Sequence, residues 1–311
     1  MEGSAGRANV QPRRPCPPSA GGSAALLAIA IEARTVWRQL GSAGMSQDKD
    51  SPIVAAKSHA APSAFTPENL LREARRQKGL ADARVPDICV LDPDGDMLRR
   101  LRIAQRAHAD PTWACYHTEL YRFVEASLEM GLVGHAVGAP FAVLVAEQLF
   151  ASGCRLLISM TSAGQLVELR PPPYFIVIDR ALRDEGTSYH YLPSAEYSAA
   201  DAKLVQATRG ACTHLGVPVE CGATWTTDAP FRETADAIAA MKAKDLLAVE
   251  MEAAALYAFA EARRKPILCF AHVTNRMALV EGDFEKGEAD GAKATLAVVA
   301  AAARGWRSSG S

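Results

Sequence analysis

The sequence predicts an α/β fold, on three observations. Short apolar runs rich in Val, Ile and Leu alternate with longer stretches of small residues at helical spacing. One stretch, from Gly131 to Gly164, reads as strand, loop, helix and strand in order, the pattern of an α/β sheet. The 311 residues are 49% hydrophobic and 22% charged, which supplies a sizeable core and excludes wholesale disorder.

The first helix signal is Thr66-Pro67-Glu68. Thr caps free amides, Pro suits the first helical position, and the acid suits the positive end of the dipole. Leu70 to Lys78 continue it and Gly79 is a stop signal. Asp87 to Leu91 is a short buried strand, ending in the turn-rich Asp92-Pro93-Asp94-Gly95-Asp96. Leu132 to Val137 is a strand, Gly138-Ala139-Pro140 breaks it, and Phe141 to Ala151 is a helix. Cys154 to Met160 is the next strand, with Thr161-Ser162-Ala163-Gly164 as a small polar loop. Phe175 to Ile178 is a strand and Ala199 to Leu215 a helix. Leu246 to Val249 leads into a helix from about Glu252 to Arg263, Pro266 to Val273 is a strand, and Glu285 to Arg304 closes the chain as an Ala-rich helix. There is no tandem repeat. One domain spans 65–305, after an extension (1–64) without an ordered fold and before a flexible tail (306–311).

With 34 basic and 35 acidic residues, no bulk charge drives binding to nucleic acid or an anionic membrane. No segment reaches the roughly 18 apolar residues that cross a bilayer. The seven cysteines are dispersed, without C-x-x-C or zinc spacing, and read as reduced thiols of a cytoplasmic protein. Residues 1–44 carry several arginines, few acids and Pro/Gly clusters. They read as a targeting peptide or as an over-extended start, with Met45 opening a more ordinary leader. Trp113-Ala114-Cys115-Tyr116-His117 places no base by spacing beside its cysteine and reads as packing.

The segment richest in chemistry is Ala248-Val249-Glu250-Met251-Glu252-Ala253-Ala254-Ala255. Two carboxylates flank a methionine where a strand becomes a helix. They can accept hydrogen bonds from a polyol while Met packs on a ring face, or they can cap the helix and fill the core. This run resembles the ribose-binding stretch of the nucleoside phosphorylase superfamily, which includes purine and uridine phosphorylases and related nucleosidases. Further segments resemble the family in its order. They are Gly138-Ala139-Pro140 with Val145 to Leu149, Leu156 to Gly164, Arg183-Asp184-Glu185-Gly186-Thr187-Ser188 with His190 and Pro193, Thr224 to Asp228, and Val273-Thr274-Asn275-Arg276. The resemblance covers about residues 85–305.

It implies a central mixed, twisted sheet flanked by helices, and cleavage of the N-glycosidic bond of a ribonucleoside. Phosphate is the co-substrate, free base and ribose 1-phosphate are the products, and no metal or organic cofactor is required. Carried onto this chain, Glu252 accepts ribose hydroxyls, Met251 packs on the sugar and Glu250 orients neighbours. Thr161, Ser162 and the amide of Gly138 are the phosphate-binding candidates. Asn275 stands where purine-directed members resemble an aspartate; it donates a hydrogen bond but no proton. Asn275-Arg276 resembles the uridine branch, so a uridine-like substrate is expected, with Arg232 as a donor and Phe231 as a stacking partner for the base. Arg232 equally suits a surface ion pair.

The first loop keeps Asp92-Pro93, but Leu91 and Gly95 stand where the family has a glycine and an arginine, and Ser159 stands at a second phosphate-binding arginine. That leaves three alternatives open: phosphate held by another arginine such as Arg183 or one from a neighbouring subunit, hydrolysis with Asp94 or Asp96 activating water, and a non-catalytic nucleoside-binding protein. Asp94 and its neighbours also suit a simple turn. His272 is a pocket wall or a satisfied core histidine. The resemblance also implies a homo-oligomer.

Overall fold

A computed structural model describes residues 52–55, 57–277 and 281–310. The expectations for 1–44, for the start at Met45 and for Cys16 lie outside the described residues. The elements in order are α1 (Pro67–Lys78), β1 (Ile88–Asp92), α2 (Asp96–Ile103), β2 (Ala107–Ala109), β3 (Tyr121–Glu125), β4 (Leu128–Gly134), α3 (Ala139–Ala151), β5 (Leu156–Gln165), β6 (Tyr174–Asp184), β7 (Tyr197–Ala199), α4 (Ala202–Cys212), β8 (Val219–Thr227), α5 (Ala235–Lys242), β9 (Ala248–Glu250), α6 (Ala253–Arg263), β10 (Ile267–Asn275) and α7 (Ala292–Ser308).

The strands form one mixed sheet in the order β10-β6-β8-β9-β5-β1-β4-β3-β2, and β10 also pairs with β5, so five strands close on themselves. β5 is the hub: it runs parallel to β1 and β10 and antiparallel to β9. The α/β architecture with helices on both faces is therefore present. One apolar cluster packs α3 and α6 against the sheet, including Val145, Leu149, Leu256 and Phe259. A second packs α2, α4 and α7, including Leu98, Leu204, Val299 and Trp306.

Local signals explain several ends. Thr66 Oγ1 accepts the Asn69 amide at 3.3 Å, and Gly79 stops α1 at φ 65°. Asp201 caps α4 through the amides of Lys203 and Leu204, so that helix starts at Ala202 rather than Ala199.

Further expectations change. Thr161 to Gly164 is not a loop but the end of β5, because these residues pair in register with Ala271 to Asn275 of β10. The last helix begins at Ala292, after Gly291 at φ 78°, rather than at Glu285. It also runs to Ser308 with Trp306 buried, so the chain is ordered past 305 rather than becoming a flexible tail at 306. The compact unit begins at Pro52 rather than 65, and His59 Nε2 lies 3.2 Å from the Tyr189 carbonyl oxygen. The Trp113–His117 run is packing: Trp113 and Cys115 are buried, and Lys78 donates to the Ala114 and Cys115 carbonyls.

Candidate active site

The carboxyl ends of β1, β5, β9 and β10 converge, as catalytic loops do in α/β sheets. Parallel pairing sets Leu91 beside Ser159 and His272 beside Ser162, while Gly164 faces Val249 across the β5–β9 pair. Asp92 and Asp94, Thr161 and Ser162, Glu250 and Glu252, and His272 and Asn275 are thereby gathered from four strands separated widely in sequence.

Glu250 and Glu252 have different jobs. Glu250 is 3% exposed, and both its oxygens are occupied. Oε1 accepts from the hydroxyls of Thr224 (3.1 Å) and Thr226, and Oε2 accepts the amides of Glu252 and Ala253, both at 2.7 Å. It caps the amino end of α6 and braces Glu252, and its filled oxygens leave no acceptor open to a polyol. Burial raises its pKa against those four donors.

Glu252 is 1% exposed. Its Oε1 accepts the Gly138 amide at 2.7 Å, whereas Oε2 is buried with no hydrogen-bond partner among the described residues. Burial first and the charge of Glu250 second push its carboxyl up to about 8, opposed by the Gly138 amide and the Thr161 hydroxyl. Met251 is half-buried between them.

Three of the expected phosphate donors are already engaged. The Gly138 amide is spent on Glu252, and the Ser162 amide donates to Asp94 Oδ2 at 2.8 Å. The Thr161 hydroxyl donates to the Ser162 carbonyl at 3.3 Å and favours the ionised form of Glu252. Arg183 supplies no free guanidinium: it donates to Ser188 Oγ and to the Pro193 and Leu192 carbonyls, and so ties its own loop together.

Burial pushes Asp92 up to about 7, opposed by the Leu98 amide and reinforced by Asp94 and Asp96. Burial pushes His272 down to about 4 against the pull of Asp94. Its buried ring stacks on Phe175 at 4.5 Å between centroids, so it is a neutral, packed histidine.

Asn275 is buried; its Oδ1 accepts the Met277 amide at 2.9 Å and its Nδ2 donates to Thr274 Oγ1 at 3.2 Å, which leaves one N–H uncommitted among the described residues. The base-side candidates are not brought together with it. Phe231 is 98% exposed and Arg232 is exposed, both on the short turn Pro230–Arg232 beyond β8. Arg276 points to Glu168, 3.7 Å away at the surface, rather than into the cluster. His190 is also exposed.

Sequence reasoning missed Lys286, whose Nζ lies 2.5 Å from Asp96 Oδ2, and Arg99, which bridges Asp96 (2.7 Å) and Asp290 (2.9 Å). No motif marks Lys286–Asp96 or Arg99–Asp290, because these pairs join residues about 190 apart, whereas Arg99–Asp96 lies within one turn of α2. A concavity of about 670 Å³ lies at the start of β10, lined by Asp201, Leu204, Lys265, Ile267 and Trp306. That is the far end of the strand from the carboxylates, and it holds none of the residues above. Among the described residues no group of three His, Cys, Asp or Glu side chains is placed to hold a metal ion, and no helix is long and apolar enough to cross a membrane.

Comparison with known proteins bears on the family and the fold. A guanosine phosphorylase of Halorubrum lacusprofundi is 28% identical over 174 residues, covering 55% of this chain and 71% of its own. A DeoD-type 2 purine nucleoside phosphorylase of Aliivibrio fischeri is 25% identical over 170 residues, 53% of this chain and 72% of its own. A uridine phosphorylase from Vibrio fischeri ES114, solved with 6-hydroxy-1-naphthoic acid, superposes with a TM-score of 0.58 at 18% identity, over 73% of this chain and 90% of that one. The fold is thus that of a nucleoside phosphorylase. The description of the Phosphorylase superfamily matches residues 64–304, most of the chain, and the protein belongs to that family.

Proposed function

We propose that this chain cleaves the N-glycosidic bond of a ribonucleoside with a uridine-like base, using phosphate as co-substrate and releasing free base and ribose 1-phosphate. The observation that carries the reading is the lone Oε2 of Glu252, a buried acceptor without a donor at the carboxyl ends of the sheet. An unpaired buried acceptor costs free energy that a ligand hydroxyl removes. A ribose hydroxyl is such a donor, and donation to the carboxylate favours its ionised form. The bond from the sugar carbon to the base breaks with its electron pair going to the base, while a phosphate oxygen bonds to the same carbon. A negative Glu252 opposes the positive charge that develops on the sugar in between. Asn275 Nδ2 is the donor toward the departing base, and a pyrimidine anion needs no proton from it. No resident cofactor takes part.

A homo-oligomer belongs to the same reading: Phe231 and Arg232 lie exposed, where a second copy can close over them and a base. Hydrolysis is the second reading, favoured by one observation: the Ser162 amide is bonded to Asp94 instead of being open to an anion.

The test is a panel of purine and pyrimidine nucleosides assayed with and without phosphate, following free base. Base release that requires phosphate supports the proposal, and equal release without phosphate moves it to hydrolysis. Glu252→Ala should lower kcat/KM by about 100-fold or more, as loss of a transition-state contact does. Full activity in that variant would remove Glu252 from the sugar site.

A further inference from the structure

The place for an incoming oxyanion is crowded with carboxylates of the chain itself. Ser162 N–H donates to Asp94 Oδ2 at 2.8 Å, and Gly138 N–H donates to Glu252 Oε1 at 2.7 Å. The nearby cations are engaged in the same way: Lys286 with Asp96, and Arg99 with Asp96 and Asp290. His272, level with Ser162 on the next strand, is neutral and brings no charge.

The two carboxylates that hold backbone amides differ in freedom. Glu252 is sealed in the core, whereas Asp94 is exposed at the first loop. Asp94 can swing into water by breaking one hydrogen bond; Glu252 cannot. A backbone amide at a strand end is an ordinary anion donor, and here a tethered carboxylate already sits on it. The same carboxylate repels any anion that approaches.

Resting on the function proposed above, we propose that Asp94 is an intramolecular competitor of phosphate. It occupies the Ser162 amide, so a tetrahedral oxyanion enters only by displacing it. Asp94 thereby sets how strongly the site depends on phosphate. Removing the side chain frees both the amide and the local charge. Removing only the charge, as in Asp94→Asn, leaves an amide oxygen that still accepts from Ser162.

The experiment is calorimetric titration of inorganic phosphate into the full chain, without nucleoside and in a phosphate-free buffer. The proteins compared are wild type, Asp94→Ala, Asp94→Asn and Asp290→Asn. Asp94→Ala should bind phosphate about tenfold tighter than wild type, the worth of one charge-assisted hydrogen bond. Asp94→Asn should fall between them, and Asp290→Asn, which removes a nearby charge but no contact with Ser162, should match wild type. Asp94→Ser replaces the alanine variant if that protein does not fold. The proposal is overturned if neither small replacement tightens binding, or if Asp290→Asn tightens it as much. Binding without nucleoside does not depend on turnover. Failure to cleave any nucleoside would therefore sink the functional reading and leave this result standing, whereas active cleavage with unchanged phosphate affinity would do the reverse.

Discussion

Replacing Glu252 by Gln tests the buried carboxylate directly. Gln keeps the shape and an acceptor for the Gly138 amide but cannot ionise. In the folded chain burial and Glu250 push the Glu252 carboxyl up from 4.5 to about 8. A raised acid contributes stability that is complete below its unfolded value and is lost as pH rises through the folded one. The relevant window is therefore pH 4.5 to about 8. At about 1.4 kcal/mol per pH unit, the ceiling of the effect is about 5 kcal/mol. Glu250 is raised by burial as well and feels less repulsion once its neighbour is neutral, which adds to the same difference. Asp92, raised to about 7, titrates in the same direction, but it is common to both proteins and cancels. The new amide N–H₂ of Gln has no acceptor at Oε2 and costs about 1–3 kcal/mol at every pH. The assay is urea unfolding at pH 5, 7 and 9. Wild type should lose several kcal/mol relative to the variant between pH 5 and 9, on top of a constant offset. Parallel curves would refute a carboxyl held neutral by burial.

His272→Phe keeps the stack on Phe175 and removes a titration on the acid side. His272 is depressed to about 4, so its contribution is present above 6.5 and is lost as pH falls through 4. The variant should flatten that limb by up to about 3 kcal/mol in acid unfolding. Thr226→Val removes a donor to Glu250 and the acceptor of the Ala254 amide, and should cost about 2–4 kcal/mol in urea unfolding at pH 7. Thr208→Val is the contrast: its buried hydroxyl has no partner, so the change should stay within about 1 kcal/mol or stabilise.

The sequence was readable where local chemistry decides the structure. Thr66 and Gly79 bound α1 because capping and a left-handed stop act within one turn. It was misread where pairing decides. Thr161 to Gly164 has loop composition, yet β10 supplies a parallel partner and draws it into the hub strand. The acidic and glycine-rich stretch from Glu285 has helical spacing, but Glu285 donates its amide to the Thr274 carbonyl at 2.7 Å, and Lys286 is fixed on Asp96. Such contacts leave no trace in periodicity. The glutamate run stands out in the sequence as two acids where a strand becomes a helix, while the partners that set the roles of its two members do not. Those roles depend on Thr224, Thr226 and Gly138, which other elements bring in.

That division of roles follows from where each carboxylate meets the backbone. Glu250 sits on the free amides that open α6, where the positive end of the dipole and two hydroxyls oppose the cost of burial. Its acceptors are filled, so it has none to offer a ligand. Glu252, two residues on, occupies the cap position of the same helix with its side chain turned to Gly138 instead. It receives one amide, faces the charge of Glu250, and keeps an oxygen unsatisfied. Two like groups with environments this different separate into a brace and, in the proposed reaction, a partner for the sugar, as acid pairs in enzymes do. Exchanging the order of donors, rather than the glutamates themselves, would reverse the roles. It follows that Thr226 and Gly138 specify the site as much as the two acids do.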